Sequence, residues 1–452
     1  MRLSAQLEFD VLALNAPDSV LVLLEATAPE LTEEGDRPPA TFQVVLDRSG
    51  SMNRDRRIHG VVEALHGLVD RLDPADHFGL VSFNNQARVE APAGPLTDKD
   101  QLRRRLSGIR AHGGTDLSSG LLRGIQEARR AGEGRGATLL LVSDGHANQG
   151  TTDHDLLRDV ARGAYEHGIT VTTLGYGLGY DEELLGAIAQ GGAGSALFAE
   201  DADTAGGMIA DEAEYLLAKT AQAASLTVRG GAHVERLSVV GETFSTRLED
   251  GALMVELGDF FSGESRRLLL RVSTAVLAEA DARSGGGPVP LAEVELVHVD
   301  PGTLETRTTR LELTVETAWE VTDRVGRPEV RAEDLFQRAQ TAKRLAAYEM
   351  RRGHRAEASR HLRNSRDEMS AALGTEEFGA VRSEMGSQIE ALGQMAAQAE
   401  QDDVQRAAKT IHASRSGALR GRGPQGRPGG RLRGGRDRSD QSFPDSPAPE
   451  ER

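Results

Sequence analysis

From Thr41 onward the chain alternates short apolar runs with segments whose apolar residues recur at helical spacing, and that alternation dictates a parallel sheet wound with helices. Residues 41–46 suit a strand buried on both faces. Ile58, Val61, Val62, Leu65, Leu68, Val69 and Leu72 then fall on one helical face, and Asp73-Pro74 stops that helix. Residues 78–83 read as the second buried strand, with 87–89 as a short edge strand. Helices near 99–106 and 117–130 lead to a strand at 138–142, a helix at 153–167 and a strand at 169–174. A helix at 182–189, a short strand at 196–199 and a helix over 211–219 complete an α/β unit spanning residues 40–221.

Two strand-like runs, 7–14 and 20–26, precede this unit, and a polar, Pro-containing stretch at 31–39 separates them from it. After Ala221 the helical period disappears. Residues 225–229, 233–240, 253–257, 266–272, 292–299 and 308–315 alternate polar and apolar side chains between turns such as Glu249-Asp250-Gly251, the pattern of a β-sandwich. With the two N-terminal runs added, the sandwich would comprise residues 1–35 and 222–320. The α/β unit would then be an insertion in an all-β sandwich, its entry and exit close together. From Pro328 the chain turns helical again, near 330–352, 355–373 and 376–399; its mixed Arg, Glu and Ala predict a hairpin or small bundle with solvated faces over 328–400. Beyond Gln401 no pattern supports a core. The run RGRGPQGRPGGRLRGGRDRS and the closing SFPDSPAPEER lead us to expect a disordered Arg/Gly-rich tail over 401–452.

A chain of 452 residues is too long for one core and suits two or three domains. It has no cysteine, which excludes disulfides and thiolate metal sites and points to a reducing compartment. The opening MRLSAQLEFD lacks the basic start and apolar run of a secretory leader, and no stretch approaches the roughly 18 apolar residues of a membrane span. A soluble, cytoplasmic protein is the expectation. The net charge of -17 argues against the globular part gripping nucleic acid. Residues 415–438 are basic and glycine-rich, so any weak contact with RNA or an acidic surface belongs to the tail. The acidic end from Asp445 to Glu451 could instead fold back as an internal ligand.

Side chains just past the carboxyl ends of parallel strands face the ligand crevice of such a sheet, above all where strand order reverses. There stands Asp47-Arg48-Ser49-Gly50-Ser51-Met52, a carboxylate followed by two hydroxyls at alternate positions. Asp144 occupies the equivalent place after the strand at 138–142, in Ser143-Asp144-Gly145. The glycine turn His112-Gly113-Gly114-Thr115-Asp116 adds the Thr115 hydroxyl. Two carboxylates and three hydroxyls make an all-oxygen set suited to Mg²⁺ or Mn²⁺, less readily to Ca²⁺, and not to zinc. They leave the ion under-neutralised and its octahedral shell incomplete. An incoming carboxylate has both a charge and a position to fill.

This constellation resembles the metal-ion-dependent adhesion site of von Willebrand factor A (VWA) domains. The family pattern of Asp-x-Ser-x-Ser, a distant Thr and a distant Asp is matched without substitution by Asp47, Ser49, Ser51, Thr115 and Asp144. Leu72-Asp73-Pro74-Ala75-Asp76 before the second strand and Gly113-Gly114-Thr115 before a helix agree with it. The resemblance implies a Rossmann-like, doubly wound VWA domain over residues 41 to about 220. It also implies that a Glu or Asp of a protein partner completes the coordination, often with a shift of the last helix. The wider arrangement is similar to a bacterial family in which this domain interrupts a β-sandwich. Family analogy suggests AAA+ ATPases as partners of some intracellular members. Some members carry a label borrowed from chloride channels, but this chain offers no segment able to span a membrane.

Other motifs carry less. Leu174-Gly175-Tyr176-Gly177-Leu178-Gly179 lies between a strand and a helix but lacks the third glycine of GxGxxG; it reads as a turn before a helix capped by Asp181. His146 and His154 show no metal-ligand spacing, and His112 and His146 are candidates for the rim of the cation site. No Gly-Lys-Ser/Thr loop is present, and Ser49 and Ser51 have no base at nucleophile spacing. The sequence therefore points to a non-enzymatic, divalent-cation-dependent protein–protein interaction module. Two readings stand beside it. One is a metal-dependent hydrolase drawing its base from Asp116, His112 or His146; the other is a scaffold whose helical region self-associates.

Overall fold

The computed structural model describes residues 1–419 apart from 14–15, 32–38, 133–135, 242, 244, 277–287, 320, 322–323, 376–377 and 402–403. Three strands come first: β1 (Arg2–Leu7), β2 (Val11–Ala13) and β3 (Asp18–Thr27). The run expected at 7–14 is thus not one strand: Leu7 ends β1 and Val11–Ala13 form β2, in a different sheet.

The α/β unit follows: β4 (Thr41–Asp47), α1 (Arg57–Arg71), β5 (His77–Phe83), β6 (Ala87–Pro95), α2 (Lys99–Ser107), α3 (Leu117–Gly132), β7 (Ala137–Ser143), α4 (His154–Tyr165), β8 (Ile169–Tyr176), α5 (Glu182–Gly191), β9 (Ala193–Ala199) and α6 (Ala202–Leu217). Its sheet has the order β6-β5-β4-β7-β8-β9, parallel except for β6. Side chains alternate across the pleat, so neighbouring residues of β4 serve different cores. Val44 and Leu46 pack beneath α1, α2 and α6, whereas Val45 packs beneath α3, α4 and α5. The helix α6 starts nine residues earlier than the sequence pattern suggests, because the Asp201 carboxylate accepts the Thr204 amide at 2.8 Å and caps it there.

The remaining strands are β10 (Lys219–Gly230), β11 (Val234–Val239), β12 (Thr246–Arg247), β13 (Leu253–Phe261), β14 (Ser265–Thr274), β15 (Val289–Val299) and β16 (Thr306–Ala318). They form two sheets with the N-terminal strands, β1-β3-β14-β11 and β12-β13-β10-β15-β16-β2. Val22 and Leu24 of one sheet share a core with Leu226, Val228 and Val294 of the other. The α/β unit occupies the chain between β3 and β10. Both of its connections hang on the turn between β13 and β14: the Gly263 amide donates to Pro29 (3.2 Å), the Leu31 amide to Ser262 Oγ (2.9 Å), and the Ser262 amide to Ala218 (2.8 Å).

Four helices close the described chain: α7 (Pro328–Arg351), α8 (Arg355–Thr375), α9 (Arg382–Gln401) and α10 (Val404–Leu419). They share a core rich in Ala and Met, including Ala339, Ala346, Met369, Met385 and Met395. Helix α10 corrects the expectation of a disordered chain from 401 onward. Ala407, Ala408 and Ile411 bury one face of it, at 1%, 3% and 1% exposed. Two alanines and an isoleucine make a stripe too weak to stand out beside the Arg/Gly run. Residues 420–452 of the expected tail lie outside the described residues. Among the described residues no helix is long and apolar enough to cross a membrane.

Candidate metal centre

In the sheet order, the chain runs from β4 outward to β5 on one side and to β7, β8 and β9 on the other, so strand order reverses at β4. Asp47 is the last residue of β4 and Asp144 directly follows β7, one strand away. Both carboxylates therefore meet at the switch point, where parallel sheets form their crevice. Asp47 is 0% and Asp144 1% exposed. Asp47 Oδ1 accepts the Ser49 amide at 2.7 Å, and its Oδ2 accepts the Ser143 hydroxyl at 2.6 Å. Ser51 Oγ lies 3.0 Å from Ser49 Oγ and donates to Asp144 Oδ1 at 2.6 Å. Thr115 is held by its backbone: its amide donates to Asn148 Oδ1 at 2.9 Å, and its carbonyl accepts the amides of Asn148 and Gln149. Its side chain lines the same cleft as Ser51 and Asp144. A Cβ on Gly145 would stand 3.4 Å from Ser51 Oγ and 3.9 Å from Thr115 Oγ1, so both hydroxyls converge on that backbone. Gly113, at φ +83°, makes the bend before Thr115, and its carbonyl accepts the Gly50 amide at 3.0 Å.

The donor set fits a hard divalent cation. Burial pushes the Asp47 carboxyl up to about 6, against hydrogen bonds from Ser143 and Ser49 that favour its ionised form, and the charge of Asp144 adds to the rise. Two buried carboxylates side by side are costly without compensating charge. Among the described residues one cation touches them: Arg57 Nη1 donates to Asp144 Oδ2 at 2.8 Å. Every other polar group at the floor is a hydroxyl or an amide, and all potential ligands are oxygens, the chemistry of Mg²⁺-like ions.

Above this floor opens a cleft of about 530 Å³, walled by Arg54, Arg57, His146, Asn148, Leu178 and Gly179. Arg57 lies with its guanidinium carbon 5.5 Å from the centre of the Tyr176 ring. Gly177 makes room for it: at φ +73° it adopts a left-handed backbone, and a Cβ there would sit 2.7 Å from that carbon. Of the glycines that imitate a dinucleotide loop, Gly179 lines the cleft and Gly177 seats Arg57 in its wall. Asp181 caps α5 as expected, accepting the amides of Glu183 and Leu184 at 3.1 and 3.0 Å. Arg57 and Ser143 were missed from sequence. Ser143 adjoins Asp144, a signal that could have found it, whereas nothing in spacing foretells Arg57.

The histidines divide. His146 walls the cleft, with Nδ1 3.7 Å from Asp181, which also has His154 Nε2 at 3.5 Å. His112 lies instead against Arg48, whose Nη1 is 3.1 Å from its Nε2. Asp116 accepts the Ser118 hydroxyl (2.7 Å) and the Ser119 amide (3.0 Å), so its carboxylate is spent on the start of α3. Among the described residues no three His, Asp or Glu side chains gather into an alternative metal site.

Residues 43–211 match the family model of the von Willebrand factor type A domain. The chain carries a VWA domain. It is 29% identical over 270 residues to an uncharacterized protein of Synechocystis, sll0103, a match covering 57% of this chain and 62% of that one. The uncharacterized protein YfbK of Escherichia coli is 26% identical over 187 residues, covering 41% of this chain and 32% of YfbK. The chain thus spans less than two thirds of these relatives. Among solved structures, a von Willebrand factor type A protein from Catenulispora acidiphila superposes with a TM-score of 0.67 at 17% identity, covering 92% of this chain and 96% of that one. At that identity the likeness concerns the fold, and it extends well beyond the VWA domain.

Proposed function

We propose that the VWA domain, inserted in the chain of a β-sandwich, holds one divalent cation between Asp47, Ser49, Ser51, Thr115 and Asp144 and binds an acidic side chain of a partner protein through it. The observation that carries this reading is the floor of the cleft, where two buried carboxylates and three hydroxyls converge with one neighbouring cation, Arg57. The bound ion would supply a Lewis-acidic anchor for a carboxylate. Mg²⁺ or Mn²⁺ suits the donors better than Ca²⁺. Asp47 and Asp144 would hold the ion, Ser49 and Ser51 would join them, and Ser143 would orient Asp47 from behind. An AAA+ ATPase, the partner class implied by family analogy, would meet the same requirement with an acidic loop. A cytoplasmic, non-enzymatic role accords with this chemistry. Hydrolysis would need a free base at the cleft: Asp116 is committed to α3 and His112 faces Arg48, which leaves His146, on the cleft wall 3.7 Å from Asp181, as the one of the three candidates that reading could use. Self-association through the helical region would need an unused apolar face, yet these helices pack on one another around Ala346 and Met385.

Titration calorimetry with Mg²⁺ and Mn²⁺ tests the proposal directly. The wild type is expected to bind one equivalent, and Asp47→Ala to bind none. With free ion at about 100 times its dissociation constant, binding raises stability by about 2.7 kcal/mol, visible as a higher melting temperature in the wild type alone. No heat and no melting shift in millimolar metal would remove the reading.

A further inference from the structure

The geometry points to a partner that presents two neighbouring acidic side chains, one for the cation and a second for Arg54 and the spare donors of Arg57. This rests on the cation reading above and names the chemistry of the partner.

Three observations carry it. The cleft, at about 530 Å³, is far larger than the cation floor requires and falls within the roughly 300–1,000 Å³ of sites that enclose whole ligands. Its wall carries positive charge from Arg54 and Arg57, with His146 beside them, while the acidic residue in its lining is Asp144, buried at the floor. The Arg54 guanidinium makes no ion pair or hydrogen bond among the described residues, its backbone carbonyl alone accepting the Arg57 amide, whereas the Arg57 side chain is anchored, with its Nη1 on Asp144 at 2.8 Å and its Nη2 3.7 Å from Asp55.

The backbone between them is strained in the service of this arrangement. Asp55 and Arg56 adopt consecutive left-handed conformations, at φ +48° and +56°. A side chain disfavours that region, and such strain persists where the surrounding structure enforces it, typically at binding sites. Here it closes the turn at Gly50–Arg56 just before α1, leaving Arg54 on the cleft wall and Arg57 on Asp144. A fork of guanidinium donors beside a cation site reads a second carboxylate by charge-assisted hydrogen bonds. The net charge of -17 on the whole chain sets this basic wall apart from the rest of the molecule.

The test uses the full chain in saturating Mg²⁺ and two fluorescein-labelled Gly/Ser peptides, one with a single Glu and one with Glu-Gly-Glu. Fluorescence anisotropy is expected to show the two-Glu peptide binding about tenfold more tightly, the worth of one charge-assisted hydrogen bond. In Arg54→Ala the two-Glu advantage over the single-Glu peptide, both measured in that variant, should fall to about twofold. Arg54→Lys, which keeps the charge and loses the fork, should retain part of it. An advantage undiminished in Arg54→Ala, or absent in the wild type while the single-Glu peptide binds, overturns the inference and leaves the cation reading standing. Peptide binding that persists in EDTA overturns both.

Discussion

Replacing Lys409 by Met should release α10 from the VWA domain. Lys409 is 3% exposed, and its ammonium donates to the Tyr180 carbonyl at 2.6 Å and to Glu182 Oε2 at 2.5 Å, 4.0 Å from the centre of the Tyr180 ring. Met keeps the apolar stem and removes the ammonium. The Tyr180 carbonyl then loses a charged donor in a buried place, which costs about 1–3 kcal/mol. Glu182, with its side chain 15% exposed, turns toward water and adds little. Relief of the ammonium's own desolvation offsets part of the loss. A net cost of about 2 kcal/mol follows, equivalent to a roughly thirtyfold larger open fraction of the helix. The contacts of Ala407, Ala408 and Ile411 remain, so the opening should stay local. Hydrogen exchange read by mass spectrometry is the assay: peptides covering 404–419 should exchange about thirty times faster in the variant, while peptides from β7 keep their protection. Equal protection of 404–419 in both proteins would refute the assignment of this joint to Lys409.

Two further outcomes concern buried charge in the helical region, and they have opposite signs. Lys343 is 1% exposed, with Ser414 Oγ at 3.2 Å, and burial pushes its ammonium down from 10.5 to about 8. The native state then loses its proton before the unfolded chain does, so stability should rise with pH between about 8 and 10.5. Below that window the full penalty of about 3 kcal/mol applies, and Lys343→Met should melt higher at pH 7 and lack the rise. Glu333 is pushed the other way by burial, from 4.5 up to about 7, despite the Gln337 amide at 2.8 Å and Arg267 nearby. The native state holds this proton longer, so stability should fall by about 3 kcal/mol as pH climbs from 4.5 to 7. Chemical denaturation across that range should show a flatter profile for Glu333→Gln; an unchanged slope would mean the carboxyl is hydrated.

The α/β unit was legible because its signals are redundant. β4 and β7 are mostly apolar runs, α1 repeats its apolar residues at helical spacing, and Asp181 caps α5 where the turn ends. Each choice agrees with its neighbours, and errors stayed at boundaries, as at Asp201. Where the packing surface is made of alanine, that redundancy is lost. Helix α10 was missed because its buried face is Ala407, Ala408 and Ile411, and its strongest anchor is a lysine, which sequence patterns place in solvent. The joint it makes with the loop before α5 is a pairing across more than two hundred residues, and no local period encodes it.

The proposed cation floor and its wall divide along the same line. Asp47, Ser49 and Ser51 sit on one short turn, and alternate positions bring their oxygens together whatever surrounds them. Asp144 needed only the rule that parallel strands point their carboxyl ends into one crevice, whereas Thr115 sits on a glycine turn before α3 and was marked by that turn and the family pattern. Arg57 is different. Its place on Asp144 depends on the left-handed turn at Asp55–Arg56, the missing side chain of Gly177 and the Tyr176 ring, three features from two distant segments. A ligand set is written in residue types, which a sequence displays. The selectivity of a wall is written in which long side chain the packing lets through, and that is decided only when β8 and α1 lie side by side.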